Sequence, residues 1–201
     1  MKKHNVAAVI LAGGKNSRIK REKSLLKIDN KPLLGNIVST LSNSFEELIV
    51  ITSKNEIKAE FPYLTFYNDE FIDCGPLAGI HAAFKNSDAD FLFVCACDMP
   101  NLNPEIIKKQ ISKINNSEAD IIVPRHSEGI EPLHAIYSRS CLPFIEKQLK
   151  NNICSIRSFY EKMRVSYLDL DDEQIKYFYN INTSHDLNSF YNSIHLISKS
   201  S

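Results

Sequence analysis

The sequence predicts an α/β protein of three layers, with a mostly parallel sheet between helices. Two observations carry this. Continuously apolar runs such as Val6–Leu11 (VAAVIL) and Phe91–Ala96 (FLFVCA) suit strands covered on both faces. Between them, apolar residues recur at helical spacing, so strands and helices alternate along the chain.

The elements follow in order. Val6–Leu11 is a buried strand that stops at Gly13-Gly14. Pro32 opens a helix to about Leu41, with Leu33, Ile37 and Leu41 on one face. Leu48–Thr52 and Leu64–Tyr67 are strands, and Pro76–Phe84 is a helix entered through Gly75-Pro76. Phe91–Ala96 is the most apolar strand and ends at Asp98-Met99-Pro100. Pro104 starts a helix carrying Ile107, Ile111 and Ile114. Ala119–Val123 and Leu133–Tyr137 read as strands, Cys141–Leu149 as a helix, Ser155–Lys162 as a short helix and Val165–Leu170 as a strand. Phe178–Ile181 reads as a strand end, and Ser184–Ile197 as a terminal helix capped by Thr183 or Ser184.

Composition bounds the function. The 201 residues, 43% hydrophobic, suit a single domain over residues 1–201. Lys plus Arg number 24 and Asp plus Glu number 24, so no global field draws the chain to nucleic acid or an acidic membrane, and any anion site must be local. The opening MKKHNVAAVILAGG is too short in apolar length, and too basic after it, for a signal peptide. No run approaches the ~20 apolar residues of a membrane span. A cytoplasmic protein is expected. The five cysteines form no C-x-x-C pair and are expected as reduced core thiols, and the six histidines show no zinc spacing.

In parallel α/β sheets, ligands sit beyond the carboxyl ends of strands. Unusual residues gather in those segments. Leu11–Lys23 (LAGGKNSRIKREK) pairs two glycines at a strand end with Lys15, Arg18, Lys20, Arg21 and Lys23. Open backbone N–H groups and clustered cations suit a triphosphate; a tight turn before a solvated basic face is the plainer alternative. Neither the P-loop nor the G-x-G-x-x-G pattern is present. Asp98, after the central strand, is placed to hold Mg²⁺ against phosphate oxygens, or else to start a turn before Pro100. Asp69 and Asp73 precede Gly75-Pro76 and Gly79, which open a helix whose first N–H groups can receive a polar ligand edge. Asn180 and Asn182 alternate in Asn180-Ile181-Asn182-Thr183 and suit a ligand rich in heteroatoms, or a turn.

Together, LAGG-x-x-S-R-x-x-x-x-K, GPLAGI, CDMP and NINT, in that order from Val6 to about Leu187, resemble the molybdenum cofactor guanylyltransferases, the MobA-like enzymes. The resemblance implies a Rossmann-like nucleotidyltransferase fold that moves GMP from GTP to molybdenum-molybdopterin, releasing pyrophosphate. It implies a GTP site of Leu11, Ala12, Gly13, Gly14, Lys23, Asp69, Gly75, Leu77, Gly79 and Asp98, with Mg²⁺ on Asp98. Lys23, Arg18 and Asp98 would be catalytic. Residues from about 1 to 123 would bind the nucleotide, and those from about 124 to 201 the acceptor, with Asn180, Asn182 and His134 as contacts. Molybdenum-insertion proteins and recipient molybdoenzymes are the candidate protein partners. The chain departs from the family pattern at Ile19, Lys20 and Glu22, where methionine, glycine and aspartate are usual.

The chemistry so implied needs no protein nucleophile. The acceptor's phosphate monoester, with a second pKa of roughly 6, is mostly dianionic at neutral pH and can attack the α-phosphorus unaided. Rival readings are a cytidylyl- or sugar-phosphate nucleotidylyltransferase on the same fold, which commonly opens LAAG or LAGGxGTRL, and a non-catalytic nucleotide-binding module.

Overall fold

The computed structural model describes residues 4–13, 27–28, 31–71, 73–181 and 186. Its strands are β1 (Val6–Leu11), β2 (Lys27–Ile28), β3 (Lys31–Pro32), β4 (Leu48–Ile51), β5 (Thr65–Tyr67), β6 (Phe91–Ala96), β7 (Ile121–His126), β8 (Gly129–Ile130), β9 (His134–Ser138) and β10 (Val165–Asp169). The helices are α1 (Leu33–Ser42), α2 (Asn55–Glu60), α3 (Gly75–Lys85), α4 (Pro104–Ile114), α5 (Leu142–Lys150) and α6 (Ile156–Tyr160). The main sheet runs β10-β7-β9-β6-β1-β4-β5, with β8 paired to β7. All pairings along this row are parallel except the two that β9 makes, to β6 and to β7. The carboxyl ends of β1, β4, β5, β6, β7 and β10 therefore share one edge, and β9 begins there.

Alternation along β1 shows why the fold has three layers. Ala7 and Val9 belong to one buried cluster with Leu77, Ile80 and Phe84 of α3 and Ile145 and Leu149 of α5. Ala8 and Ile10 belong to the other, with Leu34, Ile37 and Leu41 of α1 and Ile106 and Ile107 of α4. Side chains alternate faces along a strand, so an unbroken apolar run feeds both cores. Full burial of each such leucine, isoleucine or phenylalanine stabilises the fold by roughly 1.5–3 kcal/mol before entropy is counted.

The sheet and its helices match the sequence expectation, with differences of detail. The strand expected at Ala119–Val123 lies at Ile121–His126, and that at Leu133–Tyr137 lies at His134–Ser138. Phe178–Ile181 is not a strand end. Asp172–Phe178 is a 3₁₀ helix, capped by a reciprocal pair in which Asp171 and Gln174 each take the other's backbone N–H. Cys74 and Cys154, expected as reduced thiols, are joined by a disulfide, while Cys95, Cys97 and Cys141 remain thiols. The terminal helix expected over Ser184–Ile197 lies, but for Asp186, outside the described residues. Among the described residues no helix is long and apolar enough to cross a membrane.

Candidate active site

The sheet order reverses at β1. The chain passes outward through β4 and β5 on one side, then returns to place β6 on the other. Such a switch point leaves a crevice beyond the carboxyl ends of the two central strands. A cleft of about 680 Å³ opens there. Its wall combines Leu11 and Gly13 after β1, Thr52 to Lys54 after β4, Asn68 and Asp69 after β5, Gly75, Pro76 and Gly79 of α3, Cys97 and Asp98 after β6, and Leu133 before β9.

Local chemistry explains how each part is held. The Ala12 N–H donates to the Ile51 carbonyl at 2.9 Å, and the Ala12 carbonyl accepts from the buried Thr52 hydroxyl at 2.8 Å. On the other side of β1 the Cys97 N–H donates to the Leu11 carbonyl at 3.1 Å, tying the start of the Cys97-Asp98 turn to the end of β1. Asp73 and Gly75 both have left-handed φ values, 64° and 55°, and turn the chain sharply into α3. A Cβ on Gly79 would stand 2.7 Å from Leu11 Cδ2, so glycine lets α3 lie close against the end of β1. The Ile181 N–H donates to the Asp98 carbonyl at 2.9 Å and brings the segment after the 3₁₀ helix to the same place.

The site's charges are uneven. Asp69, Asp73 and Asp98 line the cleft, and Lys54 is the one cation among its described residues. Asp69 is exposed overall, yet desolvation at the wall is the largest influence on its carboxyl and raises its pKa; its own backbone N–H opposes this and the charge of Asp73 adds to it. Among the described residues no group of three His, Cys, Asp or Glu side chains could cage a metal. The set fits Mg²⁺, which takes one or two carboxylates and completes its shell with phosphate oxygens and water.

Leu11, Gly13, Asp69, Gly75, Gly79 and Asp98, singled out in the sequence, meet at this cleft. Ala12 is buried and serves through its backbone. Leu77 is fully buried, with its side chain in the α3 core cluster rather than on the cleft wall. Gly14, Arg18, Lys23 and Asn182 lie outside the described residues. Asn180 is exposed, next to the Ile181 that reaches Asp98.

His134, expected as an acceptor contact, lies in the core. It has no exposed surface, and its ring packs edge-on against Phe93 and Phe178 at 5.0 and 4.8 Å. Burial pushes its pKa down to about 4. Its imidazole is neutral and lies in the core rather than on the cleft wall. Sequence reading passed over Thr52, Ser53 and Lys54, although they follow a strand as the chosen segments do.

Residues 8–166 match the MobA-like NTP transferase domain family. A probable molybdenum cofactor guanylyltransferase of Pelotomaculum thermopropionicum is 34% identical over 185 residues, covering 89% of this chain and 88% of that protein. One of Clostridium perfringens is 35% identical over 190 residues, covering 90% and 93%. The crystal structure of molybdopterin-guanine dinucleotide biosynthesis protein A from Archaeoglobus fulgidus superposes with a TM-score of 0.81 at 25% identity, covering 94% of this chain and 98% of that one. Matched from within β1 to the start of β10, the chain belongs to the family of MobA-like NTP transferase domains.

Proposed function

We propose that this chain transfers GMP from GTP to molybdenum-molybdopterin, giving the guanine dinucleotide cofactor and pyrophosphate. The observation that carries the reading is the position of Asp98. It stands in the β1/β6 crevice opposite the glycine end of β1, in a chain whose relatives are named molybdenum cofactor guanylyltransferases.

In this reading an oxygen of the acceptor's terminal phosphate attacks the α-phosphorus of GTP. The bond to the β-phosphate oxygen breaks, and pyrophosphate leaves with that electron pair. The acceptor oxygen is already ionised, so no residue has to remove a proton. The protein's task is to align two polyanions and offset their repulsion. Carboxylates outnumber cations in the described cleft wall, so positive charge must come from elsewhere. Asp98 would hold Mg²⁺, which when bound would supply part of it as a Lewis acid toward phosphate. Arg18 and Lys23 in the basic segment after Gly13 supply the rest, on the α-phosphate and the leaving group. Gly13, Asp69, Gly75 and the amino end of α3 bind the nucleotide; Asn180 and Asn182 bind the acceptor.

The test is a panel of ATP, CTP, GTP and UTP with molybdenum-loaded molybdopterin and Mg²⁺, following pyrophosphate and the dinucleotide product. GTP should be used alone or by a wide margin. Preference for CTP would replace the guanylyl reading with the cytidylyl one, and nucleotide binding without turnover would make the chain a binding module.

A further inference from the structure

Three hydrogen bonds fix which way the backbone faces at the end of β1. The Leu11 carbonyl points toward β6, where it accepts from Cys97. The next residue faces the other way: the Ala12 N–H and carbonyl both point toward β4, to Ile51 and to the Thr52 hydroxyl. No described peptide bond is cis. Across a trans peptide the carbonyl and the following N–H point in opposite directions. The Gly13 N–H is therefore turned toward β6, the side from which Cys97 and Asp98 enter the cleft.

Beyond Ala12, β1 has no strand pairing to hold this plane, and the next residue is glycine, the least restrained of all. What holds it is Thr52. Its side chain is buried at 2% exposure, its Oγ1 donates to the Ala12 carbonyl at 2.8 Å, and the same oxygen accepts from the Lys54 N–H at 3.2 Å. The Thr52 N–H is in turn anchored to the Tyr67 carbonyl of β5 at 2.9 Å. The hydroxyl is thus fixed from both sides and clamps one peptide forty residues away in sequence.

We infer that Thr52 is a positioning residue: its hydroxyl holds the Ala12–Gly13 peptide so that the Gly13 N–H is presented to the nucleotide's phosphates in the β1/β6 crevice. This rests on the nucleotidyltransferase reading of the cleft. The value of such a donor lies in being aimed before charge develops, so that no reorganisation is needed during the reaction.

The experiment compares Thr52→Val, which keeps the shape and loses the hydroxyl, with Thr52→Ser, which keeps the hydroxyl. Steady-state kinetics, titrations with GTP and with guanosine, and melting curves are recorded for both. Thr52→Val should lower kcat by about 10-fold or more and weaken GTP binding several-fold, while guanosine, which has no phosphate, binds within about twofold of wild type. Thr52→Ser should stay within about threefold on every measure. The inference is overturned if Thr52→Val matches wild type, if it loses guanosine and GTP affinity equally, or if Thr52→Ser is as impaired as Thr52→Val. Should Thr52→Val not fold, the wild-type chain still decides the matter. Its Gly13 amide resonance should shift on titration with Mg²⁺-pyrophosphate, and an unmoved resonance sinks the idea. A wild-type chain that turns over no nucleotide refutes the proposed function instead, so the two failures are distinct.

Discussion

Asp98 leaves the most apolar strand of the sheet at its carboxyl end, and its half-buried carboxylate enters the cleft there. Asp98→Asn keeps the shape and removes the charge that would hold Mg²⁺. Turnover should fall by at least about 100-fold with an unchanged melting curve; near-normal activity in saturating Mg²⁺ would leave Asp98 a turn residue. His134 supports a different prediction. Its pKa is about 4 in the folded chain and near 6.5 in the unfolded one, so between those values the unfolded state binds the extra proton. His134 therefore favours the neutral folded state fully above about pH 6.5, and this advantage is lost as pH falls toward 4, by about 3 kcal/mol in all. Buried His81, whose pKa is also lowered chiefly by burial, adds in the same direction. His134→Leu should flatten the decline of stability across this range in urea titrations. An unchanged pH slope would show that the imidazole is not kept neutral by burial. A sequence can name Asp98, because a carboxylate after a buried strand is conspicuous. It does not show that His134 is sealed between two phenylalanines, nor that Thr52 bonds to Ala12, because those partners meet only in the fold.

Among elements, those with a strong period were the legible ones. β1, β4, β6, α1, α3 and α4 carry unbroken or helically spaced apolar residues and lie where the sequence puts them. α2 went unseen because NEIKAE offers only Ile57 to the core. β8, with both residues exposed, shows no strand pattern at all. The 3₁₀ helix before Tyr179 owes its cap to a reciprocal Asp171–Gln174 pair and its place to Phe178, buried against the His134 ring. The Cys74–Cys154 bond was hidden because spacing in sequence says nothing about which thiols meet across 80 residues. It ties the residue before α3 to the connection between α5 and α6, so it braces the turn at Asp73 and Gly75, both of which line the cleft. Thiol titration of the unfolded, unreduced chain should count the three thiols Cys95, Cys97 and Cys141, rising to five after reduction. Reduction should also lower the folding stability by about 2–4 kcal/mol. Five thiols before reduction would show that the bond does not form.

For the molecule as a whole, one sheet underlies both of the proposed substrate regions. Its β5-β4-β1-β6 half frames the cleft proposed for GTP, and Leu133, just before β9, brings the β9-β7-β10 half to the same edge. The segment from Phe178 to Ile181 bridges them. Phe178 is buried against the His126 and His134 rings, and the Ile181 N–H meets the Asp98 carbonyl, so exposed Asn180 stands beside the proposed point of transfer with Asn182 following. A pterin presents several donors and acceptors in one plane, which a side-chain amide can match and a methyl group cannot. Asn182→Ala, and to a lesser degree Asn180→Ala, should weaken use of the molybdopterin acceptor. The apparent KM for the acceptor should rise about 10-fold, the loss of one or two hydrogen bonds, while titrated GTP affinity stays within about twofold of wild type. The link between Ile181 and Asp98 makes the control necessary, because damage to this segment would spread to the carboxylate proposed to hold Mg²⁺. A variant that loses GTP affinity and melting temperature together would show that the asparagines merely organise the turn, and the acceptor would then have to be sought along β7 and β10 instead.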